Sequence, residues 1–327
     1  MPNFKLVLII YAVACIGATG KIMAWGFEAH RQINSLAVFT LPPEMIGFYK
    51  QNRAYLSAMA VNPDRRRGIN KKEGPRHYFD VDGYGPNVNT LPLFLDSAIA
   101  RCGEDSLLRH GTAPWHLGML KVALTKAFAE RQPERILKLS AEAGHYLSDI
   151  YVPLHTTSNH NGQKTYQNGI HALWETQIPH AFYYTWTILP GKANYIEYPQ
   201  KYFMETALRT HVFADSVLLS DYRLRLGFPE RNMYAWSMAG GGAGKKVYTF
   251  TYASEWYYAL NGMHERRFTE AVKAVGDLWF TCWVDAGQPD LKPFLNFKFS
   301  TAERKKLEAE EAAWKIRKAE AEQACDE

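Results

Sequence analysis

Two helical-period pairs constrain this chain more than any other feature. His145 and Asp149 are four residues apart, and His171 and Glu175 repeat the spacing. On a helix, residues four apart share one face, so each pair offers an imidazole nitrogen and a carboxylate oxygen side by side. His155 lies between the pairs, two residues after Pro153. Imidazole and carboxylate together form a ligand set suited to zinc. One such pair is common in any helical protein. Two pairs and a further histidine between Ala143 and Glu175 point to a metal site, set against a bland alternative of helices carrying satisfied core histidines.

The chain around this stretch reads as helical. Apolar residues recur at helical spacing in Leu93–Cys102, Pro114–Arg131, Pro133–Tyr151, Tyr202–Leu219, Ala253–Leu260 and His264–Ala286. An amphipathic stretch runs from Trp25 to Phe39, and another helix follows Leu41-Pro-Pro to about Ala60. Ile170 to Thr187 reads as helix with an interruption at Pro179. Asn62-Pro-Asp-Arg-Arg-Arg67 reads as a loop, because Pro63 disfavours helix at Asn62. Gly83–Pro92 and Ser158–Gly169 are loop-rich, and Ala239–Gly244 is a glycine-rich flexible segment. Strand patterning is scarce, and no repeat of 20–50 residues is visible. The expected class is mainly α: a single multi-helix domain with a metal cleft.

The ends differ from the body. Lys5 precedes an apolar run, Leu6–Gly17, and Ala24 stands before Trp25. This is the pattern of a secretory signal peptide over residues 1–24. It implies export to a periplasm or the exterior, with no transmembrane segment after its removal. Cys15 is a poor lipid-attachment site, because Ala12 stands where a leucine is usual. Losing Lys5 and Lys21 lowers the formal charge from +5 to +3, too mild to argue binding to nucleic acid or membrane by charge alone. Cys102, Cys282 and Cys325 are widely spaced and odd in number, so at least one thiol is left over. Residues 25–300 form the expected domain. From Thr301 the chain is a charged, A/E/K-rich tail that reads as a solvated helix.

Upstream of the central stretch, His30 follows Trp25 by five residues, Asp64 lies on a polar segment, and His77 opens His77-Tyr-Phe-Asp80. Cleavage after Ala24 would give Trp25 a free α-amino group. Such an amine ordinarily titrates at about 7.7–8.0 and can ligate metal once deprotonated.

The order of these residues resembles the superfamily of zinc-dependent phospholipases C and single-strand-specific zinc nucleases of the S-one and P-one type. The likeness covers Trp25 to Glu175 and not the chain from Pro190 onwards. The resemblance implies three Zn2+ ions. Asp64, His77, His145 and Asp149 would hold the first, and His155, His171 and Glu175 the second. The Trp25 amino nitrogen and carbonyl oxygen, His30 and the other oxygen of Asp149 would hold the third, so Asp149 would bridge metals. Three dications against Asp64, Asp149 and Glu175 leave a centre of about +3, which attracts a phosphate diester and acidifies bound water. Asp64 would also orient or deprotonate that water.

The branch stays open. Trp25-x4-His30, Arg67 three residues after Asp64, and Tyr78 with Asp80 at base-binding positions resemble the nucleases. Glu175, where the nucleases have Asp, and the interval from His155 to His171 resemble the phospholipases. The expected substrate is a phospholipid or a single-stranded nucleic acid or nucleotide, with no stable protein partner. A metal-binding surface protein without turnover is the alternative from another class. His110, His116, His160, His180, His211 and His264 match no ligand position, although His160 lies close enough to the site loop to touch substrate. Trp174 reads as core packing.

Overall fold

The centre of the molecule is the helix that carries His145 and Asp149. The computed structural model describes residues 25–67, 70, 72–237, 245–301, 303–305, 307–310 and 312–313. The first helices are α1 (Trp25–Ala37), α2 (Pro43–Gln51), α3 (Arg53–Met59) and α4 (Asn62–Arg67). Next come α5 (Leu95–Cys102), α6 (Glu104–His110), α7 (Ala113–Ala129) and α8 (Pro133–Asp149). After the site loop follow α9 (Ile170–Ala172), α10 (Ile178–Phe182), α11 (Pro199–Gly227) and α12 (Glu230–Met233). A hairpin of β1 (Tyr234–Ser237) and β2 (Lys245–Tyr248) precedes α13 (Phe250–Ala259) and α14 (Met263–Asp285). The strands pair antiparallel, Tyr234 opposite Tyr248. The class is mainly α.

Helix α8 begins at Pro133, whose fixed φ and missing N–H suit a first helical position. Its last seven residues, Ala143 to Asp149, are all buried. A helix buried on every face must be surrounded, and α1, α3, α7 and α14 pack around it. Asn34 of α1 fastens three of these helices. Its Nδ2 donates to Leu56 O at 3.3 Å and to Ala141 O at 3.0 Å. Gly144 makes room for it: a Cβ there would lie 2.0 Å from Asn34 Oδ1. Trp279 of α14 donates to Ser140 O at 3.0 Å, and Tyr49 OH lies 2.9 Å from Ser140 Oγ. One continuous apolar core joins these contacts.

Four local expectations need correction. Asn62–Arg67 is a helix, not a loop, because a proline in the first turn loses no helical hydrogen bond. The Leu41–Ala60 helix is two helices, broken at Asn52, whose Nδ2 donates to Phe48 O at 2.8 Å. In the 170–187 stretch the irregularity is a π-helical turn, Leu173–Gln177, ahead of Pro179, which itself sits in the first turn of α10. Helix α11 extends from Pro199 to Gly227, well past Tyr202–Leu219. Ala239–Gly244 and Cys325 lie outside the described residues. Cys102 and Cys282 are free thiols. Among the described residues, no helix is long and apolar enough to cross a membrane.

Candidate metal centre

Five histidines and three carboxylates converge at the C-terminal end of α8. His145 and Asp149 come from α8, His30 from α1, and Asp64 from α4. His77 ends a 3-10 turn, Gly74–His77, and His155 lies in a second one, Pro153–Thr156. His171 sits in α9, and Glu175 in the π turn that follows. Single π turns recur at functional sites because the extra residue re-aims a side chain. Backbone bonds fix the first turn on two sides: Phe79 N, just past it, donates to His155 O of the second turn at 2.9 Å, and Thr112 N, at the start of α7, donates to Pro75 O at 2.6 Å. Gly111, at φ +87°, admits Tyr78, whose carbonyl oxygen a Cβ would approach to 2.1 Å.

The donor chemistry fixes which ring nitrogens face inward. His145 Nδ1 lies 2.7 Å from Ala60 O, a pure acceptor, so Nδ1 carries the proton. His171 Nδ1 likewise donates to His160 O at 3.2 Å. Ser148 Oγ donates its single proton to His145 O at 2.8 Å, so the 2.7 Å contact from His30 Nδ1 must be a donation to Oγ. All three histidines therefore turn Nε2 toward the cluster. Protein acceptors on the far nitrogen are the usual way a metal-binding imidazole is oriented.

Those Nε2 atoms meet carboxylate oxygens. His30 Nε2 is 3.3 Å from Asp149 Oδ1, and His145 Nε2 is 3.3 Å from Asp149 Oδ2 and 3.8 Å from Asp64 Oδ1. His171 Nε2 is 2.9 Å from Glu175 Oε2. His77 Nδ1 is 3.0 Å from both Asp149 Oδ2 and His145 Nε2, and 3.7 Å from Asp64 Oδ1. His155 Nε2 is 3.0 Å from Glu175 Oε1 and 3.3 Å from His171 Nε2. Lone pair facing lone pair requires positive charge between them. Protons on imidazole can supply it singly, but His30 and His145 rings lie 3.9 Å apart and would carry like charges. A dication satisfies several donors at once. Ligands about 2.0–2.1 Å from a tetrahedral zinc lie about 3.3–3.4 Å from one another, close to these separations. Among the described residues, His155 Nδ1 is buried without a hydrogen-bond partner, 3.4 Å from Asp149 Oδ1. The residues fit a metal.

Among the described residues, three groups are compact enough to hold an ion: His77, His145 and Asp149; His155, His171 and Glu175; and His30, Asp64 and His145. Trp25 opens α1, but its side chain and residues 1–24 lie outside the described part of the chain, so the amine ligand rests on the resemblance alone.

Charge balance follows the same pattern. Burial disfavours ionised Asp149, yet His145 and His155 hold it well below the ordinary carboxylate range. Glu175 is mostly buried, and His171 and His155 hold it well below the ordinary carboxylate range. At His155, burial is outweighed by Glu175 and Asp149, which push the imidazole up to about 9. At His77, burial wins and lowers the pKa despite Asp149.

The expected substrate-binding residues lie around this cluster. Arg67 Nη1 is 3.7 Å from Asp64 Oδ1 on a half-exposed side chain. Its charge reaches Tyr78, His155 and His160. Arg65 and Arg66 turn away: Arg65 lies over Phe27 at 5.8 Å, and Arg66 pairs with Glu142 at 2.9 Å. Tyr78 OH donates to the Leu108 and Arg109 carbonyls, each at 3.3 Å. Burial and neighbouring Asp82 push Asp80 up to about 7. Asp82 anchors the site loop, accepting from Ser158 N at 2.8 Å and Ser158 Oγ at 2.7 Å. His160 is exposed and serves His171 through its backbone. Trp174 is buried against His264, ring centroids 3.7 Å apart.

Sequence reading missed Glu73. It is fully buried, four residues before His77, with Oε1 3.8 Å from His77 Nε2. The signal was present as a third acid–histidine spacing of four, in a segment that reads only as a turn.

No family model and no curated protein matches the chain. Among solved structures, it is similar to the alpha-toxin of Clostridium perfringens, from an avian strain, at 15% identity and a TM-score of 0.45. The match covers 82% of this chain and 66% of the toxin, just under two-thirds of its length.

Proposed function

We propose that the chain is an exported zinc-dependent hydrolase of phosphate esters, of the phospholipase C and single-strand nuclease kind. The observation that carries this reading is the set of three histidines, each with Nδ1 committed to a protein acceptor and Nε2 turned onto a carboxylate. His77, His145, Asp149 and Asp64 would hold one zinc, His155, His171 and Glu175 a second, and His30 with Asp149 and the Trp25 amine a third. Bound zinc would supply a Lewis acid for phosphate oxygens and a water acidified toward neutral pH.

The chain's own residues do the rest. Asp64 stands at the edge of the first set, where one oxygen can ligate and the other accept a proton from water. Arg67 holds a non-bridging phosphate oxygen through charge-assisted hydrogen bonds. The Phe79 N to His155 O bond ties the chain just past the Gly74–His77 turn to the Pro153–Thr156 turn and would keep the two ligand sets in register. The position of Arg67 beside Asp64 supports a nuclease or nucleotidase substrate as the second reading, against a phospholipid.

The test is hydrolysis of phosphatidylcholine, single-stranded DNA and single-stranded RNA by the purified mature protein, with and without chelator. Chelator-sensitive turnover of one of them is expected. Zinc uptake with no turnover on any phosphodiester would leave a metal-binding surface protein instead.

A further inference from the structure

Glu73 has the setting of a functional carboxylate with no function yet attached to it. It is fully buried, and burying a carboxylate is costly unless its partners are well placed. Arg76 Nη1 donates to Oε2 at 3.0 Å, and Tyr146 OH donates to Oε1. Arg66 Nη2 stands 3.6 Å from Oε1, itself fixed by Glu142 at 2.9 Å. These partners come from α4, α8 and the turn itself, so the carboxylate is held from three directions. The imidazole of His77 lies beside it as well, with Nε2 3.8 Å from Oε1.

His77 needs such a neighbour. Its Nδ1 faces Asp149 Oδ2 and His145 Nε2, both at 3.0 Å, so the lone pair belongs there if the cluster takes a metal. The ring proton must then sit on Nε2. That atom is buried and has no hydrogen-bond partner among the described residues. The carboxylate beside it is Glu73, with Oε1 at 3.8 Å. His145, His171 and His30 each have a neutral acceptor on the far nitrogen. His77 alone of the cluster has a carboxylate outside the ligand set beside its far nitrogen, 3.8 Å away, which acts on the ring proton by charge rather than through a hydrogen bond. A carboxylate on that side of a ligand ring orients it and raises its basicity.

We infer that Glu73 is a positioning residue for His77: its buried carboxylate keeps the ring proton on Nε2 and the Nδ1 lone pair turned into the cluster. This rests on the metal reading above. It adds that zinc affinity depends on a residue that touches no ion and directly precedes the His77 turn.

The test is zinc competition against a chromophoric chelator, using the full purified chain and the variants E73Q, H77A and E73Q/H77A. Gln keeps an acceptor for Tyr146 and removes the charge. E73Q should weaken one zinc-binding step by about tenfold, the low end of the 10–100-fold cost of losing such a partner. In the H77A background the same substitution should change nothing, because Glu73 acts through His77. A loss below about threefold in E73Q, or an equal loss with and without His77, overturns the inference. Should E73Q fail to fold, E73D is read the same way: its shorter side chain draws the carboxylate from Nε2, and unaltered affinity overturns the inference. A wild-type chain that takes up no zinc overturns the metal reading and this inference together. Normal wild-type uptake with an indifferent E73Q overturns only the inference.

Discussion

Asp149 divides its two oxygens between two sets of histidines. Oδ2 lies 3.0 Å from His77 Nδ1 and 3.3 Å from His145 Nε2, while Oδ1 lies 3.3 Å from His30 Nε2 and 3.4 Å from His155 Nδ1. The carboxylate is buried, so water is a poor substitute for either partner set. If each oxygen serves its own ion, as proposed, Asp149→Ala should lose more zinc than His30→Ala, because it would remove a donor from two ions rather than one. Elemental analysis of both variants decides this. Full zinc content in Asp149→Ala would show that the carboxylate bridges nothing.

Gly144 couples the core to the site. Its neighbour His145 is a ligand candidate, and its missing side chain leaves space for Asn34, which ties α1 to α3 and α8. Gly144→Ala must displace Asn34 Oδ1, 2.0 Å from the new Cβ. Overpacking of this kind costs about 1–3 kcal/mol. Thermal denaturation should show that loss, with reduced zinc content as α8 shifts. A variant as stable as wild type would mean that Asn34 can swing aside at no cost.

The ligand helix was legible because its signals are local. Proline at the start of α8, apolar residues at helical spacing and a histidine–acid pair four apart all lie within one element. The regular helices α7 and α14 were legible for the same reason. The π turn at Leu173–Gln177 was not, because a single extra residue leaves no mark on composition. Asn62–Arg67 was misread because Pro63 was weighed as a helix breaker rather than as a first-turn residue. Glu73 escaped notice because its role appears only when Tyr146, Arg66 and Arg76 are brought to it from distant parts of the chain. Asp64 carries no periodic signal, and the spacing that marks His77 runs to Glu73, which went unread; both stood out only as isolated donor types until the resemblance grouped them.

Asp80 gives a pH dependence whose sign can be worked out. Burial and Asp82 raise its carboxyl from the ordinary 3.8 to about 7 in the folded chain. Between those values the folded state keeps a proton that the unfolded state has released. Stability of the chelator-stripped protein should thus fall as pH rises through this window, and stay lowered above it. Asp80→Asn cannot ionise. It should be more stable than wild type at about pH 8 and nearly equal to it at about pH 4. One pKa unit is worth about 1.36 kcal/mol, which caps the gain at about 4 kcal/mol. Denaturant titrations at both pH values measure it. Equal effects at the two would show that Asp80 ionises freely in the fold.

Arg67 is separated from its two arginine neighbours by what each touches. Arg65 donates to Asn62 Oδ1 at 3.2 Å and lies over Phe27, and Arg66 is bound to Glu142. Arg67 stays half exposed, 3.7 Å from Asp64, with its charge felt at His155 and His160. A guanidinium keeps its proton and has no lone pair for a metal, so Arg67→Ala should leave zinc content unchanged. On the phosphoesterase reading, its contribution would come from holding phosphate oxygens as charge builds on them. Losing one such contact costs about 10²–10³ in turnover, on the scale of a lost oxyanion donor. Arg67→Lys should recover only part of that, because an ammonium lacks the planar fork that grips two oxygens. Steady-state kinetics on a phosphodiester, with zinc measured in the same samples, tests both statements. Unaltered turnover in Arg67→Ala would make Arg67 a solvated surface charge and remove the main support for a nuclease substrate. Lost zinc would instead mean that Arg67 acts by holding Asp64 in place.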